Sequence, residues 1–144
     1  MLKNKRIFIS GGAGVIGNEL VNRLRKIGAI IFVGDLKLKP KHWPNTILYR
    51  QGDLNCVSKN EIDSFKPDIF FHLAASFERS IESYDFWDEN YHNNVKLTNH
   101  LLSIFKDLPY LKKIIFASSY LLYDKSLYSS TKPKKNLLLC LNQT

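Results

Sequence analysis

Residues Ser10-Gly11-Gly12-Ala13-Gly14-Val15-Ile16-Gly17 put four glycines into seven positions immediately after the apolar run Ile7-Phe8-Ile9. Such a run is costly inside a helix or strand, because glycine gives up more backbone freedom on folding than any other residue. It reads as a turn in which the chain bends tightly or lets something approach its backbone. Ahead of it, Lys5 to Ser10 is a short strand rich in β-branched and aromatic residues. Behind it, Ile16, Leu20, Val21, Leu24 and Ile27 recur at helical spacing. Gly28 closes that helix as a C-terminal cap residue does, and Ala29 to Val33 is an apolar run too short for a helix. A β-α-β unit is complete by Asp35.

The alternation continues along the chain. Leu36 to Asn45 carries Pro40 and Pro44 among lysines and reads as a loop, and Ile47-Leu48-Tyr49 is a brief strand ending near Gly52-Asp53. Ser58 is placed to cap a short helix through Phe65, Pro67-Asp68 breaks it, and Ile69 to Leu73 has the continuous apolar character of a buried parallel strand. Ser83 to Phe105 contains no Pro or Gly, and the spacing of Val95, Thr98, Leu102 and Phe105 predicts a long helix buried along that stripe. Pro109 ends it, and Lys113 to Ser119 is the next strand. About five strands alternating with helices predict an α/β fold, a three-layer Rossmann-type doubly wound parallel sheet. Ligands of such sheets bind beyond the carboxyl ends of the strands, where the glycines, Asp35, Asp53, Ala74, Ala75 and Ser119 all fall.

Composition narrows the partners. At 144 residues and 44% hydrophobic content the chain has the size and balance of one globular domain. No apolar stretch reaches the roughly 20 residues of a membrane-spanning helix, so no membrane association is expected. Cys56 and Cys140 match no metal spacing or redox motif, which predicts no metal site and a reducing, cytoplasmic setting. The net charge of +8 gathers at Arg23 to Lys26, Lys37 to Lys41 and Lys132 to Lys135. Those clusters lack the interleaved aromatic platforms of a nucleic-acid surface, so nucleic-acid binding ranks last among the readings, and a positive field equally favours a pyrophosphate.

Gly12, Gly14 and Gly17 satisfy the GxGxxG pattern, with a strand leading in, a helix leading out, and Asp35 18 residues after Gly17. A pyrophosphate must approach backbone N–H groups at a helix N-terminus, where the dipole favours negative charge and a Cβ would obstruct contact. Gly17 is expected to let the helix pack close to the sheet. Asp35 is placed to accept hydrogen bonds from both hydroxyls of an adenosine ribose and to repel the extra phosphate of NADP, so the expected cofactor is NAD. Lys37 and Lys39, close by in sequence, soften that preference.

At these residues the sequence resembles the extended short-chain dehydrogenase/reductase family, the NAD-dependent epimerases and dehydratases that mostly act on nucleotide sugars. SGGAGVIG is similar to the family's glycine run, Gly52-Asp53-Leu54 to its adenine-contacting motif, His72-Leu73-Ala74-Ala75 to the HLAA of its fourth strand, and Asn94-Val95 with Thr98 to the following helix motif. The resemblance implies that Gly11, Gly12, Gly14, Val15, Ile16 and Gly17 meet the cofactor, with Asp53 and Leu54 against adenine. It further implies Leu73, Ala74 and Ala75 through Phe77 along the middle of the cofactor, and Asn94 near the nicotinamide half. Read as a residue alone, Asn94 equally suits a cap or a bridge between helices.

Phe116 to Tyr123 resembles the family segment with the catalytic Ser or Thr, and alignment on Tyr123 puts that role on Ser119, which would hydrogen-bond the sugar oxygen being oxidised. The family's base is the Tyr of a YxxxK motif whose Lys lowers the Tyr pKa. Tyr128 and Lys132 fit the letters, but Tyr128 comes only 9 positions after Ser119, and Pro133 pushes Lys132 away from helical geometry. The expectation is therefore an NAD-binding domain over residues 1–124, a basic loop and apolar tail over 125–144, and a chain truncated before the catalytic helix and the substrate-binding part. The alternative is a binding module that holds NAD without chemistry.

Overall fold

The computed structural model describes residues 2–76 and 84–118; Phe77, Ser119, Tyr128, Lys132 and the whole segment 125–144 lie outside the described residues. Five parallel strands form one sheet in the order β3-β2-β1-β4-β5, with β1 at Arg6–Ser10, β2 at Ile30–Asp35, β3 at Leu48–Gln51, β4 at Ile69–His72 and β5 at Lys113–Phe116. The order reverses between β1 and β4, and at that point the carboxyl ends of neighbouring strands diverge and leave a crevice.

Central β1 sends alternate side chains to opposite faces. Ile7 and Ile9 pack with Val21 and Leu24 of α1 (Val15–Lys26) and with Ile31 and Val33 of β2. Phe8 faces the other way, into Ile62 and Phe65 of α2 (Lys59–Phe65), Phe70 of β4, and Leu97, Leu101 and Phe105 of α4 (Leu97–Phe105). Helices thus cover both faces, as an all-parallel sheet requires. Local signals set the ends of the elements. Gly28 sits at φ +79° beyond Ile27, and Ala29 N–H and Gly28 N–H bond back to the Leu24 and Arg25 carbonyls, a Schellman stop. Ser58 and Glu61 form a reciprocal capping box at the start of α2.

Two regions differ from the sequence expectation. The loop after β2 supplies core: Trp43 and Ile47 are buried against the α1 face, and Trp43 Nε1 donates to Asn18 Oδ1 at 2.9 Å. The helix before β5 runs from α3 (Tyr84–Asn90) through a π-helical segment (Tyr91–Lys96) into α4. Its buried stripe is Leu97, Leu101, Ile104 and Phe105, while Val95 and Leu102 of the expected stripe are 47% and 38% exposed. The apolar residues of α4 cover more than one stripe, so period alone admits both, and contact with Phe8 and Phe70 selects one. Val95 lies in the π segment, where i→i+5 bonding takes it off the α-helical spacing altogether.

Candidate functional site

The turn after β1 is fixed by backbone contacts. Gly11 N–H donates to the Gly34 carbonyl at 2.8 Å and Gly14 N–H to the Gly11 carbonyl at 3.2 Å. Gly11 has φ +74°, and a Cβ there would lie 2.6 Å from the Ala74 nitrogen, so only glycine lets the turn sit against the end of β4. Gly17 plays a different part from the one expected. Its missing Cβ makes room for the turn itself, since a Cβ would lie 2.4 Å from the Gly11 carbonyl oxygen and 2.6 Å from Gly12 Cα. The start of α1 is thereby clamped onto the turn, while Val21 and Leu24 pack the helix on the sheet further along. Its N-cap, Gly14, has no side-chain hydrogen bond, and its first turn contains no acidic residue. The first-turn N–H groups have no intrahelical partners, so this end offers donors and a positive dipole to an anion.

Asp35 closes the turn from the neighbouring strand. It is 8% exposed, its Oδ2 accepts Ala13 N–H at 2.8 Å, and its Oδ1 accepts Lys37 N–H at 2.9 Å. Each oxygen keeps a further lone pair for a ligand hydroxyl. Lys39 is turned away from this carboxylate: its ammonium donates to the Pro44 and Ile47 carbonyls at 3.1 and 2.8 Å. Asp53 stands on the adjacent wall as N-cap of a short 3₁₀ turn, Leu54–Cys56. Burial would raise its carboxyl, but hydrogen bonds from the Asn55 backbone amide, His92 and the Asn55 side chain outweigh it and hold the group below the usual aspartate range.

The third wall begins where β4 ends. Leu73 N–H donates to the Ser10 carbonyl at 3.0 Å, which seats Leu73, Ala74 and Ala75 as a shelf beside the glycine turn. Asn94, from the π-helical segment, clasps the far end of the shelf: its Oδ1 accepts Ser76 N–H at 2.7 Å and its Nδ2 donates to the Ser76 carbonyl at 3.0 Å. Behind the shelf His72, 2% exposed, has Nδ1 2.6 Å from Ser10 Oγ and Nε2 2.8 Å from Thr98 Oγ1. Burial pushes its pKa down to about 4, so it is a neutral bridge joining β1, β4 and α4.

A cleft of about 220 Å³ opens over these strand ends and collects Gly11, Gly14, Asp35, Asp53, Leu54, Leu73, Ala74 and Ala75 from the expected set. Gly12 and Gly17 stand behind its lining, Gly12 against Val33 and Gly17 against the turn. Val15 and Ile16 are 91% and 72% exposed at the start of α1. Asn94 lines a second hollow of about 350 Å³ with Thr98 and Phe116, and both hollows share Leu73, Ala74 and Ala75. The sequence reading assigned no part to Leu36, Asn93 and Leu97, which line the cleft, or to His92, which braces it; Ser10 and His72 entered it only as letters of the motifs, and Lys37 only as a nearby charge. His72 precedes a recognisable Leu-Ala-Ala, but its partners lie 62 and 26 residues away, so no local spacing marks the bridge.

Strand order, glycine turn and cleft together define a Rossmann-type α/β protein. Residues 7–137 match the family model of the NAD dependent epimerase/dehydratase family, and the chain belongs to that family. It is 31% identical to the CDP-glucose 4,6-dehydratase of Salmonella typhimurium over 85% of its own length and 36% of that relative's. Among solved structures it is similar to the Bordetella bronchiseptica enzyme WbmF in complex with NAD⁺, with 25% identity, a TM-score of 0.68, and coverage of 82% of this chain and 37% of that one. The UDP-glucose 4-epimerase of Thermotoga maritima with UDP-glucose gives 26% identity and a TM-score of 0.68 over 78% of this chain and 37% of that one. The chain therefore spans little more than a third of the length of these relatives. Among the described residues no helix is long and apolar enough to cross a membrane.

Proposed function

We propose that this chain binds NAD across the Leu73-Ala74-Ala75 shelf and forms the cofactor-binding part of an epimerase or dehydratase acting on a nucleotide sugar. The observation that carries the reading is the meeting of three features at the point where strand order reverses: the uncapped N-terminus of α1, the Asp35 carboxylate and the shelf. The residues present fit the cofactor. First-turn amides of α1 suit its pyrophosphate, the remaining lone pairs of Asp35 suit a ribose diol, and Leu54, Leu73 and Leu97 give apolar wall for adenine. The two hollows on either side of the shelf suit the two halves of a dinucleotide. Lys39, tied to carbonyls, does not offset the repulsion that Asp35 exerts on a 2′-phosphate, which favours NAD over NADP.

Bound NAD would supply the hydride acceptor for a sugar carbinol. On this chain the corresponding roles are proposed for Ser119, holding the sugar oxygen, and for Tyr128 with Lys132 as base and its neighbour. The nucleotide-sugar class rests on the relatives, two of which are a CDP-glucose dehydratase and a UDP-glucose epimerase.

Titration calorimetry tests the binding. NAD should give a saturable heat, Gly14→Val should abolish it, and Asp35→Ala should weaken NAD about tenfold while narrowing the gap to NADP. Absence of heat from a protein whose circular dichroism shows it folded overturns the reading. For the chemistry, a panel of UDP-, GDP- and TDP-sugars with NAD is assayed for product. Turnover that Tyr128→Phe removes supports catalysis by this chain; no turnover, with NAD binding intact, leaves the binding module.

A further inference from the structure

His92 stands on the π-helical segment directly before Asn93, a residue of the cleft lining that Leu97 joins further along the same helix. Its Nε2 reaches over to the opposite wall, 3.1 Å from Asp53 Oδ2 and 3.2 Å from Asn55 Nδ2. No other side-chain hydrogen bond among the described residues joins the π-helical segment to the turn at Leu54–Cys56. The cluster is short of donors. Asp53 Oδ1 takes both the Asn55 backbone and side-chain amides, at 2.8 and 3.0 Å, while Asn55 Oδ1 is buried with no partner. A carboxylate only accepts and an amide nitrogen only donates, so Nε2 serves Asp53 when it carries a proton and Asn55 when it does not. A neutral imidazole divides one proton between its two nitrogens; the imidazolium always carries one at Nε2.

We propose that His92 is a positioning residue for the dinucleotide: it ties Asp53 to the helix wall across the adenosine end of the cleft, and does so more firmly when protonated. This rests on the NAD reading above. The tie fixes Asp53 and holds two walls in place before the ligand arrives, which lowers the ordering cost of binding. Charges around the cluster leave the direction unchanged. Asp53 faces His92 from the 3₁₀ turn, and the Arg50 guanidinium is engaged by the Asp53 carbonyl and by Glu61. Lys37 lines the same cleft, and the helix bearing His92 carries Asp88, Glu89 and Lys96 within one turn of it.

The test is NAD affinity by calorimetry between about pH 5.5 and pH 8. The full chain should bind NAD about threefold more tightly at the acid end, the worth of a half-exposed ion pair, and should take up protons on binding. His92→Gln and Asp53→Asn should each flatten that dependence, and the double variant should add nothing further. If His92→Gln flattens the profile while Asp53→Asn keeps it, His92 acts as a bare charge on the pyrophosphate and the positioning role is overturned. Parallel profiles for wild type and His92→Gln overturn it as well, with the NAD reading intact. No binding at any pH removes the NAD reading itself.

Discussion

In the β1–α1–β2 half of the molecule, every contact that shapes the cleft has the backbone on at least one side: Gly11 against Ala74, Gly17 against the Gly11 carbonyl, Ala13 N–H on the Asp35 carboxylate. In the β4–α4 half each rests on a polar side chain of the helix or strand reaching a distant partner: His72 to Ser10 and Thr98, Asn94 to the Ser76 backbone, His92 to Asp53. Both halves deliver one wall each to the same crevice. The first is specified by what is missing, a Cβ, and by one carboxylate that two backbone amides hold in place. The second is specified by polar atoms that must find each other after the helix has docked, and it inherits their protonation states and exchange with water. A site built half in each way has a rigid anion end and a wall that can be tuned.

The largest effect is expected where the backbone-specified half is broken. Gly17→Val places carbon within 2.4 Å of the Gly11 carbonyl oxygen. Overlap with backbone that cannot rotate away should cost more than about 3 kcal/mol, read as a shift in the urea midpoint, with NAD binding lost. A midpoint unchanged from wild type would show that the turn has slack the contacts do not reveal.

The second effect comes from acid. His72 is held neutral in the folded protein, with its pKa pushed from 6.5 down to about 4, so the unfolded chain binds a proton that the folded chain refuses. Its contribution is therefore full above pH 6.5 and is lost as pH falls towards 4, by up to about 3 kcal/mol. The carboxyls of Asp53, Glu61 and Asp68 are held below their ordinary values, so their losses begin at lower pH. Urea unfolding across this range should show the slope in wild type and a shallower one in His72→Gln. Equal slopes would remove His72 as the acid-sensitive joint of the β4–α4 half.

The smallest effect is local. Asn94→Ala deletes both hydrogen bonds to the Ser76 backbone and should cost about 1 to 2 kcal/mol. Amide exchange at Ser76 should accelerate while exchange at Gly11 and Gly14 stays as in wild type. Acceleration at the glycine turn would show that the two halves are coupled more tightly than the contacts suggest.

What the sequence disclosed follows the same division. Gly11, Gly14, Asp35 and the five-strand alternation are legible because a β-α-β unit is local: strand, turn, helix and acidic strand end occur in order within about 30 residues. Ala74 and Ala75 become legible through family resemblance, since small residues at a strand end have many uses. The buried stripe of α4 was not, because LTNHLLSIF has apolar residues on several sides and the sheet decides which one is covered. Nor were the bridges of His72 and His92, whose partners are 26 to 62 and 37 to 39 residues away, distances over which spacing carries no geometric information. Trp43 reads as a loop residue by its prolines and is core by its contacts.

The π-helical segment Tyr91–Lys96 shows where this region can change in length over evolutionary time. Each residue of a π segment turns the chain less than an α-helical residue does, so the wide turn accommodates one residue more for nearly the same rotation. Losing one residue there would restore ordinary turns and leave the helix upstream facing nearly the same way. A deletion inside α4 would instead rotate everything upstream by roughly 100° about the axis, taking Asn93 from the cleft and Asn94 from Ser76. Length is therefore constrained in α4, and a single-residue indel should be tolerated first in the π-helical segment.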